Sequence, residues 1–152
     1  MAAVVLYFAY GSNLSQSQMA TRCPGSSSLG VAVLHGHRLD FTTDSGKWGG
    51  GVADVVEDDG NAVWGLLYSV TDDDLDRLDR YEGYPTKYGR FQATVEQGQG
   101  MVDDVWVYSV VDRKGFIPPS PRYLDIITSA AEEFEFPAKY RQYLDSIETT
   151  ES

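Results

Sequence analysis

The run VVLYFAYGSNL, residues 4–14, changes character halfway along. Val4 to Phe8 is apolar throughout, the pattern of a strand covered on both faces. Tyr10-Gly11-Ser12-Asn13 then breaks into small and polar groups. Just beyond, Ser15-Gln16-Ser17-Gln18 has the spacing of a capping box, with Ser15 as N-cap and Gln18 at N3. A short helix is expected through Met19 to about Cys23, stopped by Pro24-Gly25. Backbone N–H groups at such a strand-to-helix junction point outward, and the helix dipole adds partial positive charge. Gly11 lets the chain turn and lets a ligand approach closely. On spacing alone an ordinary loop is the preferred reading, and an anion cradle is the alternative.

Working outward, Val31–Leu34 and Arg38–Thr42 read as strands, with His35-Gly36-His37 as a tight turn between them. Asp44–Gly51 reads as a glycine-rich loop around Trp48. Strands follow at Val52–Glu57 and Ala62–Val70, with Asp58-Asp59-Gly60-Asn61 as their hairpin turn. Thr71 caps a helix whose first turn is acidic, whose apolar stripe is Leu75 and Leu78, and which ends near Tyr81 with Gly83 just beyond. Phe91, Ala93 and Val95 alternate, as do Val105 and Val107, which gives two more strands joined by the loop Gln97–Gly100. Ser120-Pro121 is an N-cap and N1 pair. Leu124, Ile127, Ala131 and Phe134 then share a helix face, and a second helix starts at Pro137 with Tyr140, Leu144 and Ile147 inward. Strands first, with helices inserted or last, predict an α+β domain: a curved sheet or partial barrel with helices around it.

The chain has 152 residues, the size of a single domain spanning 1–152. Its net charge of −11, from 23 acids against 12 bases, disfavours nucleic acid and anionic membrane as partners. A small anionic ligand is not disfavoured, because local N–H groups outweigh a distant net charge. Cys23 is the only cysteine, so no internal disulfide forms. The first six residues lack a basic start and no apolar run approaches the ~20 residues of a membrane span, so the expectation is a cytoplasmic protein without a signal peptide. His35 and His37 with one distant cysteine make a poor metal site, and no P-loop, G-x-S-x-G or G-x-G-x-x-G occurs.

One further stretch carries chemistry. In Leu78-Asp79-Arg80-Tyr81-Glu82-Gly83-Tyr84-Pro85, Glu82 sits at the expected C-terminal end of a helix, where the dipole disfavours negative charge. Tyr81 and Tyr84 flank it. Burial there raises a carboxyl pKa toward the range of a general base at neutral pH. Taken alone, a solvated helix-end glutamate is the preferred reading.

The combination of motifs changes this. YFAYGSNL at 7–14, Leu39-Asp40-Phe41, Trp48-Gly49-Gly50-Gly51, Val63-Trp64-Gly65, Tyr81-Glu82-Gly83 and Pro118-Pro119-Ser120-Pro121-Arg122-Tyr123 occur in that order. From about Tyr7 to Ile147 the chain resembles the γ-glutamylcyclotransferase family, specifically its type acting on γ-glutamyl amino acids. The glutathione-specific branch, with YGSL-type loops, is less similar. The resemblance implies a small mixed β-barrel with helices, no metal or organic cofactor, and cleavage of a γ-glutamyl amide by internal cyclisation to pyroglutamate and a free amine. It also points to a homodimer.

The resemblance further implies site residues. The family's anion loop falls on Tyr7, Phe8, Ala9, Tyr10, Gly11 and Ser12, and Asn13 extends the same run of N–H groups. Its acid–base glutamate falls on Glu82, and its substrate-contacting tyrosine on Tyr123. A further aromatic falls on Tyr88. Two rivals stand beside this reading: a cyclotransferase for γ-glutamylamines or another γ-glutamyl amide, and a non-catalytic module that binds small carboxylates or a protein.

Overall fold

A computed structural model describes residues 4–151. Met1 to Ala3, on which the signal-peptide expectation partly rests, and Ser152 lie outside the described residues. Five strands close into a barrel in the order β1 (Val5–Ala9), β3 (Gly50–Val70), β2 (Ser27–Ser45), β4 (Tyr88–Gln97) and β5 (Gly100–Val110). Neighbours are antiparallel except where the barrel shuts: there β5 lies parallel to β1, with Leu6 beside Val105 and Tyr7 beside Trp106. Among the described residues there are also four α-helices: α1 (Gln16–Arg22), α2 (Asp72–Glu82), α3 (Pro121–Glu133) and α4 (Ala138–Asp145). The fold is thus the expected α+β barrel with helices inserted or last. Among the described residues no helix is long and apolar enough to cross a membrane.

Consecutive buried residues mark the places where a strand is covered on both faces. Tyr7 to Ala9 in β1, and Val52 to Val55 and Gly65 to Tyr68 in β3, are buried without a break. Outside the sheet, α3 turns Tyr123, Leu124, Ile127 and Ala131 inward, and α4 adds Tyr140 and Leu144. Phe134 and Ile147, expected on those inner faces, are only half-buried and pack at the margin of the core.

Three expectations for the sheet are corrected. His35-Gly36-His37 is not a turn, because β2 runs through it and the register slips there, with Gly36 at φ +76. This is a bulge, the alternative use of a glycine between two strand-forming runs. Asp58–Asn61 does not join two strands paired to each other. Instead, Val52–Glu57 pairs with the His37–Thr43 half of β2, and Ala62–Ser69 with the Ser27–His35 half. The four residues Asp58–Asn61 stand opposite Gly36 alone. The loop expected at Asp44–Gly51 is a tighter turn over 46–49, because the ladder continues through Asp44 and Ser45 to Gly51 and Gly50.

The helix ends position the site. Ser15 accepts from the Gln18 N–H as expected, but the Gln18 side-chain oxygen is buried without a partner, so the reciprocal half of that box is missing. In α2 the reciprocal box does form, between Thr71 and Asp74. The helix runs one residue past Tyr81, to Glu82. Gly83 then closes it in the left-handed region at φ +71, a conformation that costs glycine least. The Arg90 guanidinium grips Asp79 with both prongs, at 2.9 and 3.1 Å, and so ties the last turn of α2 to β4. Gly51 serves a close approach: a Cβ there would lie 1.9 Å from the Ile117 carbonyl oxygen. The segment from Ile117 to Ser120 crosses at that point, and the Gly51 N–H donates to the Pro118 oxygen at 2.9 Å.

Candidate active site

Glu82 is the last residue of α2 and borders a cavity of about 230 Å³. The same cavity is bordered by Tyr7 from β1, the Tyr10–Asn13 turn, Trp48 and Ala53 from the β2–β3 ribbon, Tyr88 from β4, Tyr108 from β5 and Tyr123 from α3. These parts of the chain converge because the barrel closes at β1–β5 and α2 and α3 border the same cavity.

Burial pushes the Glu82 carboxyl up from 4.5 to about 7, partly opposed by the positive charges of Arg22 and Lys87. The residue as a whole keeps some accessible surface because it faces an open cavity. Its carboxyl oxygens take no hydrogen bond from the described residues and keep contact with the cavity, while the protein packed around them disfavours the charged form. Five tyrosines stand near enough to feel its charge: Tyr7, Tyr10, Tyr88, Tyr108 and Tyr123. Burial first, and Glu82 in addition, raises each phenol above its ordinary value, so all five stay neutral donors and acceptors at physiological pH.

Their hydroxyls are fixed. Tyr10 donates to the Tyr108 carbonyl at 2.7 Å, and Tyr88 to the Ala53 carbonyl at 2.6 Å. Tyr123 accepts from the Ala53 N–H at 3.0 Å, and Tyr7 accepts from the Asn13 amide at 2.9 Å. Tyr108 donates to Asp79 at 2.7 Å, the same carboxylate that Arg90 grips. Ala53 therefore aligns two tyrosines with one peptide group on each side. Asp54 beside it is wholly buried, and accepts from Thr42, the Val110 N–H and Arg113.

The glycine turn faces this ring. Ser12–Leu14 is a single 3-10 turn, and its opening residues have no preceding helical carbonyl for their N–H groups. Arg22 of α1 reaches back to the Ser12 hydroxyl at 3.1 Å and to the Asn13 side-chain oxygen. A Cβ at Gly11 would come within 3.0 Å of the Tyr123 hydroxyl and 3.2 Å of the Ala53 methyl, so a larger residue would push one or both aside by a few tenths of an ångström. Trp48 packs edge-on against Tyr123 at 5.1 Å, and the Ser120 hydroxyl donates to the Trp48 carbonyl at 2.6 Å. The Trp-Gly-Gly-Gly and Pro-Pro-Ser-Pro motifs thus form one wall.

Of the residues expected at a site, Glu82, Tyr7, Tyr10, Gly11, Ser12, Asn13, Tyr88 and Tyr123 lie together on this cavity. Phe8 and Ala9 do not border it and have no accessible surface. Strand alternation turns Phe8 away from Tyr7, and its ring stacks on Tyr10 at 6.3 Å. Ala9 is sealed between strands opposite Leu66. Of the two aromatics flanking Glu82, Tyr81 borders the cavity, whereas Tyr84 is exposed beneath the Arg90 guanidinium.

Sequence reasoning did not find Arg22 or Tyr108 at the site, and it reached Lys47 and Lys87 only as members of the stretches Asp44–Gly49 and Gly83–Tyr88, expected to bear on the choice of leaving amine. Tyr108 leaves one signal, a phenol on the strand face that also carries Trp106 and Val110. Arg22 leaves none, since only the fold brings it there. Among the described residues no group of three or more His, Cys, Asp or Glu side chains stands together as metal ligands would.

Comparison with known proteins adds a separate line. Residues 7–126 match the family described as γ-glutamyl cyclotransferase, AIG2-like. The chain is 35% identical over 148 residues to a γ-glutamylcyclotransferase of Bos taurus, covering 94% of this chain and 78% of the bovine protein. It is 34% identical to the Homo sapiens γ-glutamylcyclotransferase over the same shares. A solved structure of a γ-glutamyl cyclotransferase superposes with a TM-score of 0.91 at 31% identity, covering 99% of this chain and 91% of that one.

Proposed function

The chain belongs to the γ-glutamyl cyclotransferase family, and on that premise we propose that it converts a γ-glutamyl amino acid to pyroglutamate and a free amino acid, with Glu82 moving the protons. The observation that carries the assignment of Glu82 is its place on the cavity, among Tyr7, Tyr10, Tyr88, Tyr108 and Tyr123 and facing the glycine turn, where desolvation pushes its carboxyl up to about 7.

The chemistry follows from the substrate. A γ-glutamyl group carries its own nucleophile, the α-amine, and folding it back onto the γ-carbonyl closes a five-membered lactam. Well-held internal reactions reach effective molarities of ~10⁵ M or more, so the protein must hold the curled conformer and move protons. The α-amine starts as an ammonium. Glu82 takes a proton from it, the nitrogen forms a bond to the γ-carbon, and the former amide C–N bond breaks. The departing nitrogen collects the protons that the nucleophile sheds, so no water is consumed and Glu82 ends as it began. The outward N–H groups of the Gly11–Asn13 turn suit the glutamyl α-carboxylate or the oxyanion. Tyr123 and Tyr88, pinned on either side of Ala53, suit the glutamyl chain.

The base form of Glu82 is the working form. Below about pH 7 it holds a proton already and accepts none from the ammonium. Accordingly kcat/KM rises tenfold per pH unit on the acid side and levels above about 7. A profile that is flat from pH 5.5 to 8.5 would remove Glu82 from this role. Tyr123→Phe deletes the oxygen that the buried Ala53 N–H donates to. It should cost about 1–2 kcal/mol in urea unfolding and lower kcat/KM about tenfold. If neither changes, Tyr123 serves only as packing.

Incubation with γ-glutamyl dipeptides, γ-glutamylamines and glutathione, with pyroglutamate read by mass spectrometry, tests the whole. Product from dipeptides supports the proposal, product from amines alone moves it to the neighbouring activity, and no product favours a binding module. A cytoplasmic homodimer acting in glutathione metabolism belongs to the same reading and rests on family resemblance. Sedimentation of the purified protein tests its dimeric part.

A further inference from the structure

The protein carries a net charge of −11, yet two cations meet at Tyr81, beside the cavity, with no carboxylate in contact among the described residues. Lys47, on the turn between β2 and β3, donates to the Tyr81 hydroxyl at 3.0 Å. Arg22, from α1, donates to that same oxygen and lays its guanidinium over the Tyr81 ring, 3.6 Å from the centroid. The Lys47 ammonium lies 4.8 Å from the same centroid. Among the described residues neither cation has a carboxylate within 4.0 Å. Two like charges drawn onto one neutral oxygen repel each other. A carboxylate between them turns that repulsion into two charge-assisted hydrogen bonds.

Position decides which carboxylate. A γ-glutamyl amino acid brings two. The glutamyl one sits beside the nucleophilic nitrogen, so it must lie with Glu82 and the glycine turn. The other belongs to the departing amino acid, which leaves toward solvent. Lys47 and Tyr81 are both exposed residues lining the cavity, while the reacting end lies among the buried tyrosines. The turn that bears Lys47 is itself held, since Arg122 donates to the Lys47 carbonyl at 2.7 Å while stacking over Trp48.

We propose that Lys47, beside the Tyr81 hydroxyl that Arg22 also holds, forms the subsite for the carboxylate of the departing amino acid and makes the enzyme select γ-glutamyl amino acids over γ-glutamylamines. This rests on the cyclotransferase reading above. Arg22 also braces the glycine turn, so Lys47 is the residue to test.

The test is a ratio. Pyroglutamate formation is measured for γ-glutamylalanine and for γ-glutamylalaninamide, which differ only in that carboxylate, with wild type, Lys47→Gln and Lys47→Glu. Wild type prefers the acid. Lys47→Gln lowers the kcat/KM ratio of acid to amide about tenfold, and Lys47→Glu lowers it further and favours the cationic γ-glutamylethylenediamine. Raising ionic strength weakens the wild-type preference more than that of Lys47→Gln, which keeps the charge of Arg22 alone at Tyr81. The Lys47 side chain stands on an exposed turn, and circular dichroism checks that the variants fold. A ratio equal in all three proteins overturns the assignment, as does an equal loss on both substrates. Absence of pyroglutamate from every substrate with wild type would instead overturn the cyclotransferase reading.

Discussion

Glu82→Gln lowers kcat by about 100-fold or more while the protein remains folded. Glutamine keeps the shape and hydrogen-bonding reach of the side chain but accepts no proton from an ammonium. A second consequence separates a buried catalytic acid from a surface one. The folded-state value of about 7 lies above the ordinary 4.5. Between those two pH values the folded protein holds a proton that the unfolded chain has released. Stability therefore falls as pH rises through that window, and the penalty is complete above about 7. Its size is on the order of 1–3 kcal/mol, since the residue keeps some solvent access. Glutamine has no such penalty. The variant should melt higher than wild type at pH 8, and the gap should close by pH 4.5. Near-normal turnover in the folded variant, or a melting gap that ignores pH, would each count against the buried base.

Asp54→Ala should destabilise the protein by about 3 kcal/mol in urea unfolding. The wholly buried carboxylate takes three donors: the Thr42 hydroxyl at 2.8 Å, the Val110 N–H at 2.9 Å and the Arg113 Nε at 2.6 Å. They come from β2, from β5 and from the segment after it, so one side chain ties three parts of the barrel to β3. Alanine leaves the Thr42 and Val110 donors buried and unpaired. Arg113 is 42% exposed and recovers water, which keeps the cost below that of a fully buried broken pair. Activity should also fall, because neighbouring Ala53 fixes both Tyr88 and Tyr123. A change under 1 kcal/mol would mean that water takes over the carboxylate's place.

How much of this was readable beforehand depended on the range of the signal. Local signals carried well. Thr71 and Gly83 bracket α2, Ser120-Pro121 opens α3, and the apolar run before Tyr10 is a strand, though only Tyr7 to Ala9 are covered on both faces while Val4 is exposed and Val5 and Leu6 are half-buried. Glycine carried less, because the same residue serves a turn and a bulge. Gly36 and Gly60 both read as hairpin turns, yet the long ribbon runs through each, and only pairing across β2 and β3 decides. At the site, Tyr123 and Glu82 were found through family resemblance, and physics alone preferred bland roles for them. What raises Glu82 is burial by tyrosines from β1, β4, β5 and α3, and no window of neighbouring residues contains that. Lys47 and Arg22 meet at Tyr81 for the same reason: they are 25 residues apart in sequence and adjacent only in space.

The parallel contact of Leu6 and Tyr7 with Val105 and Trp106 has a consequence for synthesis. A nascent chain that has not yet emitted β5 has bare sheet edges on β1 and β4, open to pairing with other chains. It also has no reaction chamber, since Tyr108 belongs to β5, Tyr123 follows it, and Tyr7 gains its neighbour on that side only at closure. Catalytic competence and protection from aggregation therefore arrive in one late step, and turnover reports completed molecules alone.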